Sequence, residues 1–161
     1  MRCQFCNDDE SIHHLFFHCP AAKYVWSTVA RAVSAPERPG SFSQNIWWIP
    51  RFLLISRNVQ ITLVAAVCWA IWKTCNNACF EGELIKKHNE LICYLYVFVK
   101  YWTGLHNAAE QEDLHAGTDT LMNLATTSNV SGTLLVIGSW EVQIRMIEEK
   151  EQEKASGTFG F

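Results

Sequence analysis

The apolar positions in the first third of this chain recur at helical spacing and are then interrupted. Residues 21–34 predict a helix, because four apolar side chains fall at i, i+4, i+7 and i+11 and share one face: Ala22, Trp26, Val29 and Val33. Two prolines and a glycine within residues 34–41 predict a loop. Residues 45–56 are apolar again, but Pro50 interrupts them, so they predict a short helix or an irregular packed segment.

Two longer apolar segments occupy the middle of the chain. Residues 58–80 predict a helix that is buried on most sides, and Gly82 fits a break after it. Residues 84–105 predict a second helix with two apolar faces, formed by Leu84, Leu91, Leu95, Phe98 and Trp102 and by Ile92, Tyr96 and Val99. Two such helices joined by a short turn predict a central helical hairpin. Their uncharged stretches fall short of the roughly 20 apolar residues that cross a bilayer, so we expect no membrane association.

The composition changes after Asn107 and divides the chain by charge. Residues 39–105 carry a net charge of +3, whereas residues 106–161 carry −6 out of a total of −3. For residues 108–161 we expect an acidic, partly disordered tail in which residues 134–154 have the pattern of a last helix. Nothing in this distribution predicts the strongly basic face that dominates tight binding to phosphates.

A cluster of cysteines and histidines lies near the N-terminus, in the sequence CQFCNDDESIHHLFFHC of residues 3–19. Cys3 and Cys6 form a C-x2-C pair, and its tight turn directs two thiolates at one ion. His14 and Cys19 can supply the other pair, which gives the spacing C-x2-C-x7-H-x4-C. A structural Zn²⁺ requires four nitrogen or sulfur ligands in a tetrahedron. The sequence therefore predicts a zinc site with Cys3, Cys6, His14 and Cys19 as its ligands.

The helix that carries His14 has to end before this site can close. Ser11 is placed to cap a short helix through His18, and Pro20 disfavours helical geometry at Cys19. Two ligands five residues apart on an unbroken α-helix would point about 140° away from each other, given about 100° per residue. We therefore expect the chain to turn at Cys19, so that its thiolate reaches the ion.

Two further histidines leave alternatives for the ligand set. His18 shares a helical face with His14, so a site in which His18 replaces Cys19 is open, and geometry does not exclude His13 either. We prefer Cys19, because a soft thiolate suits zinc well and a cysteine directly before a proline has little other reason to be there. The spare histidines are then expected to be exposed or to lie beside the ligands.

The cysteine usage indicates a reducing compartment. Seven cysteines is an odd number without the even spacing of a disulfide framework, and the polar first residues are unlike a secretory leader. We therefore expect an intracellular protein of the nucleus or cytoplasm. Cys75 and Cys79 lie at i, i+4 and would make half of a second metal site with His88, but we interpret them as buried structural thiols.

The expected zinc site is structural, and we expect no enzymatic activity. Four protein ligands leave no open position for a reactive water. No cysteine or serine can be matched with an oriented base for nucleophilic catalysis. A segment this short cannot bury enough apolar surface to hold itself, whereas a structural zinc contributes on the order of 10 kcal/mol to folding.

Two motifs carry a resemblance to a known family. The segment CQFCNDDESIHHLFFHCPAAKYVW, residues 3–26, resembles the zinc-binding domain found towards the C-terminal end of plant non-LTR (LINE-type) retrotransposon reverse transcriptases. The segment CWAIWKTCNNACFEGE, residues 68–83, is similar to a W-x-I-W-K-x-R-N-x-x-x-F segment of the same family. The resemblance covers roughly residues 3–83. It implies that the zinc ligands are Cys3, Cys6, His14 and Cys19.

The chain also departs from that family. Members usually have a Trp/Pro/Lys-rich helical segment before the first cysteine, whereas only Met1 and Arg2 precede it here, and Cys75 stands where relatives commonly carry arginine. An aromatic-x-Asp-Asp polymerase motif and an RNase H-like set of carboxylates are missing from the sequence. The resemblance therefore implies a truncated or detached piece of such an element, without polymerase activity of its own.

The resemblance implies a role in holding RNA or single-stranded DNA. Zinc knuckles generally stack exposed aromatic rings on unpaired bases, so Phe5 and Phe17 are candidates for stacking, and Arg2 and Lys23 for phosphate contacts. Aromatic residues at helical spacing more commonly belong to the core, which is the alternative for Phe17. Because three thiolates on one Zn²⁺ add a net charge of −1, we expect weak, salt-sensitive binding at most.

The predicted architecture is mainly α, with a small N-terminal CCHC zinc module, a helical bundle and an acidic tail. The zinc-binding module occupies residues 1–34, the helical region that continues the domain occupies residues 35–107, and the tail occupies residues 108–161. The alternative function is a non-enzymatic protein-interaction or scaffold module, whose partner would pack on the apolar helices 58–80 and 84–105. A retrotransposon-derived relic without a function is the other alternative.

Overall fold

The computed structural model describes residues 2–82 and 89–127, together with Arg145, Glu149 and Gln152. These residues form five α-helices, namely α1 (Pro20–Ala32), α2 (Phe42–Phe52), α3 (Arg57–Asn76), α4 (Asn89–Thr103) and α5 (Ala108–Thr127). Two short π-helices, His14–His18 and Asn77–Glu81, extend this set. The described part of the chain contains no strand, and one isolated antiparallel bridge joins Arg2 to Asp9. The prediction of a mainly α fold is confirmed.

The centre of the fold is the α3–α4 hairpin, the pair of helices α3 and α4. Their contacts run in opposite directions along the two helices: Thr62 meets His106, Trp69 meets Phe98, and Asn77 meets Tyr94. Gly82 ends the π-helical extension of α3 in a left-handed conformation with φ of 67°, which an L side chain rarely adopts. The predicted helices, their hairpin and the break at Gly82 are therefore present, while residues 83–88 lie outside the described residues.

Helix α1 supplies the predicted apolar face to the core. Trp26 is almost fully buried, stacks on Phe17 at 6.0 Å between ring centroids, and meets the edge of Trp48 from α2. Residues 45–56 were predicted to form either a short helix or an irregular packed segment, and the structure has the helix, which is α2. Pro50 lies in the last turn, where it cannot donate to the Ile46 carbonyl, and the helix ends two residues later. Ser41 caps the start by accepting a hydrogen bond from the Gln44 amide at 3.1 Å.

The structure differs from the predicted acidic tail over residues 108–127, which form α5. This helix packs against α4, α1 and α3 through residues at i, i+4, i+7 and i+11, namely Leu114, Thr118, Leu121 and Ala125, all of them buried. Acidic side chains such as Glu112 and Asp119 occupy its exposed side. Because few residues of α5 are apolar, the sequence pattern did not predict that this helix packs in the core through one narrow apolar stripe. Apart from Arg145, Glu149 and Gln152, the last predicted helix over residues 134–154 lies outside the described residues.

A polar junction ties the start of α5 to the start of α3. The Glu110 carboxylate accepts hydrogen bonds from the Ser56 hydroxyl at 2.7 Å and from the Asn58 amide at 3.2 Å, and its other oxygen meets His106 Nδ1 at 3.1 Å. The Ser56 hydrogen bond and then the His106 imidazole lower the pKa of Glu110. The opposite ring nitrogen of His106 lies 2.8 Å from the Thr62 hydroxyl, so the junction spans both helices.

One helix among the described residues, Arg57–Phe80, is long and apolar enough to cross a membrane by the criteria of length and composition. The core helix of a globular protein meets the same criteria. Its buried residues, among them Val67, Ala70 and Ile71, belong to the core of the fold.

Candidate metal centre

The first two candidate ligands lie on a tight turn at the start of the N-terminal module, which we define as residues 2–19. The Asp8 carbonyl accepts a hydrogen bond from the Cys3 amide at 2.9 Å, and the Cys3 carbonyl accepts one from the Asn7 amide at 2.8 Å. Asn7 adopts a left-handed conformation with φ of 62°, which asparagine tolerates better than most residues. This turn directs the side chains of Cys3 and Cys6 to the same side.

The other two candidate ligands lie at the ends of a π-helical turn. Ser11 caps the helix as predicted, because its hydroxyl accepts a hydrogen bond from the His14 amide at 3.0 Å. The Cys19 amide then donates to the His14 carbonyl five residues earlier, at 2.7 Å. A turn that closes after five residues rather than four brings Cys19 further round towards the side of His14. The chain leaves helical geometry at Cys19, with ψ of 140°, directly before Pro20.

These elements bring four ligand atoms to one point. The ligand atoms of Cys3, Cys6, His14 and Cys19 all lie within 4.8 Å of one another, and this group could hold a metal ion. The Cys3 and Cys19 sulfurs are 3.7 Å apart, and the Cys6 sulfur is 3.3 Å from His14 Nε2. Within the described residues, this is the one group of three or more His, Cys, Asp or Glu side chains that lie close enough together to hold a metal ion.

The environment of the group disfavours free thiolates. Cys3, His14 and Cys19 are buried, and Cys6 is half-buried. Burial, the largest effect, together with the neighbouring Cys3 thiol raises the pKa of the Cys19 thiol to about 12, against the lowering effect of hydrogen bonds from the Ala21 and Ala22 amides. Burial also raises the pKa of Cys6. A cation at the centre of the group would supply the positive charge that these thiolates lack, and it would have to displace their protons.

Two side chains from outside the module support the π-helical turn. Trp26 Nε1 donates a hydrogen bond to the Phe16 carbonyl at 2.9 Å, and Arg38 Nη1 donates one to the Phe17 carbonyl at 3.3 Å. Both carbonyls lie between the two ligands His14 and Cys19. Outer groups of this kind fix the orientation of metal ligands. Sequence reasoning missed this role, because the spacing of Trp26 indicates only a core position and Arg38 lies in a proline-rich loop.

The two spare histidines are exposed, as predicted, and lie outside the group. The ring of His13 is 5.4 Å from that of His18 and 5.9 Å from that of Phe42. The structure thus brings Cys19 to the other three ligands, and it does not bring His13 or His18 to them.

The four residues predicted to contact nucleic acid differ in accessibility. Arg2 and Lys23 are exposed, and Phe5 is half-buried against the core. Phe17 is 0% exposed, between Trp26 and the edge of Phe42, so its ring is not accessible to a base. The prediction of stacking by Phe17 does not fit this burial, and the alternative that Phe17 belongs to the core is confirmed.

The C-terminal end of α3 lies beside the group. Cys75 is buried in the same core cluster as Cys3 and Cys19, and its pKa is raised first by burial and then by these two thiols. Cys79 is half-buried, and one buried oxygen of Glu10 has no hydrogen-bond partner. Cys75 is thus a buried thiol, as interpreted from the sequence, whereas His88 lies outside the described residues.

Comparisons of this chain with models of protein families, with curated proteins and with solved structures find no match.

Proposed function

We propose that this chain is a structural zinc-binding domain of the reverse-transcriptase type, with Cys3, Cys6, His14 and Cys19 as the ligands of one Zn²⁺. The convergence of these four side chains carries the proposal. Zn–S distances of about 2.3 Å and Zn–N distances of about 2.0 Å in a tetrahedron correspond to edges of about 3.7 Å between sulfurs and about 3.5 Å between sulfur and nitrogen. Two of the six edges, at 3.7 and 3.3 Å, are close to these values, and all six are within 4.8 Å.

The chemistry of the ligand set supports zinc and a structural role. Three thiolates and one imidazole in a tetrahedron favour Zn²⁺ over the harder, oxygen-preferring cations Mg²⁺ and Ca²⁺. Because four protein side chains complete the coordination, no position remains for a reactive water. The bound ion would join the turn at Cys3 and Cys6 to the end of the π-helix, and we assign no catalytic or polymerase activity to this chain.

Weak association with RNA or single-stranded DNA is the second part of the proposal. It rests on the resemblance of residues 3–26 and 68–83 and on the exposure of Arg2 and Lys23. Phe5, which directly precedes Cys6, is half-buried and so remains accessible in part for stacking. The net charge of −1 of a Cys₃His zinc centre and the acidic side chains that follow Cys6 keep this binding weak.

Metal analysis of the purified full chain tests the zinc site. We expect one zinc per chain, and its loss in the variant Cys3→Ser. Cys68→Ser is the matched control, because Cys68 is a half-buried thiol on α3 outside the ligand group, so this variant should keep the metal. Replacement by Co²⁺ should produce the absorption bands of a tetrahedral thiolate complex. Protein without metal, or a Cys3→Ser variant that retains it, would overturn the assignment.

Titration with a fluorescent single-stranded RNA tests the second part. Binding should be measurable at about 50 mM salt and should fall steeply towards about 200 mM, because phosphate contacts release counterions. Arg2→Ala and Lys23→Ala should weaken it, whereas Arg57→Ala, an exposed cation at the start of α3, should not. The absence of binding even at low salt would refute nucleic-acid association and leave the protein-interaction module as the better function.

A further inference from the structure

The exposed side of α3 is apolar along most of its length. Its exposed positions after Asn58 are Ile61, Ala65, Trp69 and Trp72, which fall at i, i+4, i+8 and i+11 and form one stripe. A helix on the surface of a globular protein normally presents charged and polar residues to solvent, and a helix that is apolar all round is normally buried. This side of α3 therefore stays exposed over much of its length among the described residues, although α4 covers part of it.

Helix α4 extends this stripe into a two-helix surface. The rings of Trp72, Trp69, Phe98 and Trp102 form a continuous series, with centroid distances of 5.1, 5.6 and 6.1 Å from one ring to the next. Leu105 follows at the end of α4, close to the turn of Ile61, because its neighbour His106 contacts Thr62. Tyr101 is exposed and lies three residues after Phe98 and four before Leu105, on the same side of α4. We define the apolar face by its exposed members: Ile61, Ala65, Trp69, Trp72, Tyr101 and Leu105.

The apolar face is large enough for a protein interface. Its large side chains are between 42% and 82% exposed. Taking about 150–250 Å² for an aromatic side chain and less for an aliphatic one, they present roughly 600 Å² on each chain. This is at the upper end of the largest patch on a typical monomer, about 300–600 Å². Two such faces together bury roughly 1,200 Å², which exceeds the roughly 1,000 Å² that a specific interface needs.

We propose that the apolar face is the contact surface of a homodimer, in which a second copy of this chain packs its α3–α4 hairpin on the first. A two-fold axis through the face pairs two antiparallel helices with two others and completes a four-helix arrangement, a stable way to bury such stripes. The face has no charge to oppose its own copy. Dimerisation goes beyond the proposed function and does not depend on it.

The charge distribution argues against other occupants. No charged side chain is among the exposed positions of the face, so it offers nothing to the phosphates of a nucleic acid or to the headgroups of an anionic membrane. The neighbouring exposed cation, Lys100, directs its ammonium over the ring of Tyr96 at 5.7 Å. Because an uncharged face cannot select a partner by charge complementarity, an identical uncharged face is its simplest match.

Sedimentation equilibrium of the full chain over about 1–100 μM tests the proposal, a range that brackets the micromolar affinities expected of a small interface. The mass should rise with concentration towards twice the 18.4 kDa of one chain. Leu105→Glu and Trp72→Glu each bury a carboxylate from both copies in the apolar interface and should weaken the dimer by about tenfold or more. Ile46→Glu is the matched control, an exposed aliphatic residue on α2 that lies outside the face.

Circular dichroism and zinc content on the same samples separate dimerisation from folding and from the metal site. All three variants should retain the helical signal and the metal of the wild type. A monomer over the whole concentration range, or a dimer that neither variant weakens, would overturn the proposal. Co-sedimentation of the monomer with neutral lipid vesicles, lost in Leu105→Glu, would also overturn it and assign the face to a membrane.

Discussion

The N-terminal module and the α3–α4 hairpin are stabilised in opposite ways. Within residues 2–19 four side chains are buried, and three of them are candidate metal ligands: Cys3, His14, Phe17 and Cys19. The described residues of the hairpin contain no such ligand group, and α4 alone buries a row of aliphatic and aromatic side chains that includes Leu91, Ile92, Leu95 and Val99. In the proposed function the module therefore depends on coordination of the metal, whereas the hairpin depends on packing.

Because of this difference, the two regions contribute unequally to the hydrophobic stabilisation of the fold. A module of this size cannot supply its own core, so its one buried aromatic ring, Phe17, is inserted against Trp26 of α1. The hairpin has more apolar surface than its own fold covers. One region lacks hydrophobic stabilisation and the other has an excess of it, and α1 connects the two.

Removal of the metal should produce the largest effect, because it should unfold the N-terminal module and leave the α3–α4 hairpin folded. A structural zinc contributes on the order of 10 kcal/mol, so a strong chelator should unfold the module. Amide hydrogen exchange should show lost protection at Cys3, Asn7 and Cys19, whose amides are hydrogen-bonded within the module, while the amides of α4 stay protected. Equal loss of protection in both regions would mean that the hairpin also depends on the metal.

Lowering the pH should weaken metal binding next most strongly. Because the pKa of Cys19 is raised to about 12 and that of Cys6 is also raised, both thiols are protonated at neutral pH without the metal. Each proton displaced on binding lowers the affinity by about tenfold per unit fall in pH. Competition with a chromophoric chelator between about pH 6 and 8 should therefore give a slope of two or more decades per pH unit. A slope below one decade per pH unit would contradict the displacement of thiol protons as the cause of the pH dependence.

Truncation of Trp26 should destabilise the connection between the two regions. Trp26→Ala removes a buried aromatic ring that packs on Phe17 and Trp48, and we expect a loss of about 3–5 kcal/mol in urea denaturation. Trp26→Phe keeps a ring but removes the donor to the Phe16 carbonyl, and should cost about 1–3 kcal/mol. Equal costs for the two variants would show that the hydrogen bond, rather than the packing, dominates.

The smallest expected effects are those of removing two serine N-caps, one in the module and one on α2. Ser11 caps the module's helix and Ser41 caps α2, with hydrogen-bond distances of 3.0 and 3.1 Å. Each change to alanine should cost about 1 kcal/mol. For Ser11→Ala the loss should appear as roughly fivefold weaker metal binding, since about 1.4 kcal/mol is tenfold. For Ser41→Ala it should appear only in global unfolding, with unchanged metal affinity. Weaker metal binding in Ser41→Ala would show that the start of α2, whose Phe42 ring packs on Phe17, also supports the metal site.

The clustering of Cys3, Cys6, His14 and Cys19 was predictable because its signals are local. The C-x2-C spacing, Ser11 as a cap and Pro20 as a helix terminator all lie within 20 residues, and each acts on its immediate neighbours. The helices of the hairpin were predictable for a similar reason, since long apolar runs are a strong signal.

Other features depend on contacts that no local pattern indicates. Helix α5 has few apolar residues, so its stripe at Leu114 and Leu121 was hidden by acidic neighbours. The junction of Glu110 with Ser56 joins residues 54 positions apart along the chain. The π-helical turn has no sequence signature that distinguishes it from an α-helix, although it decides where Cys19 points.

That turn also constrains how the gene can change over evolutionary time. A deletion of one codon between His14 and Cys19 would allow an ordinary four-residue closure, and an insertion would lengthen the loop. An insertion would turn one candidate ligand away from the other three, even with all four codons intact, whereas a deletion would leave the two ligands at i, i+4 on one helical face. Substitutions and a deletion between these two positions are therefore easier to tolerate than an insertion.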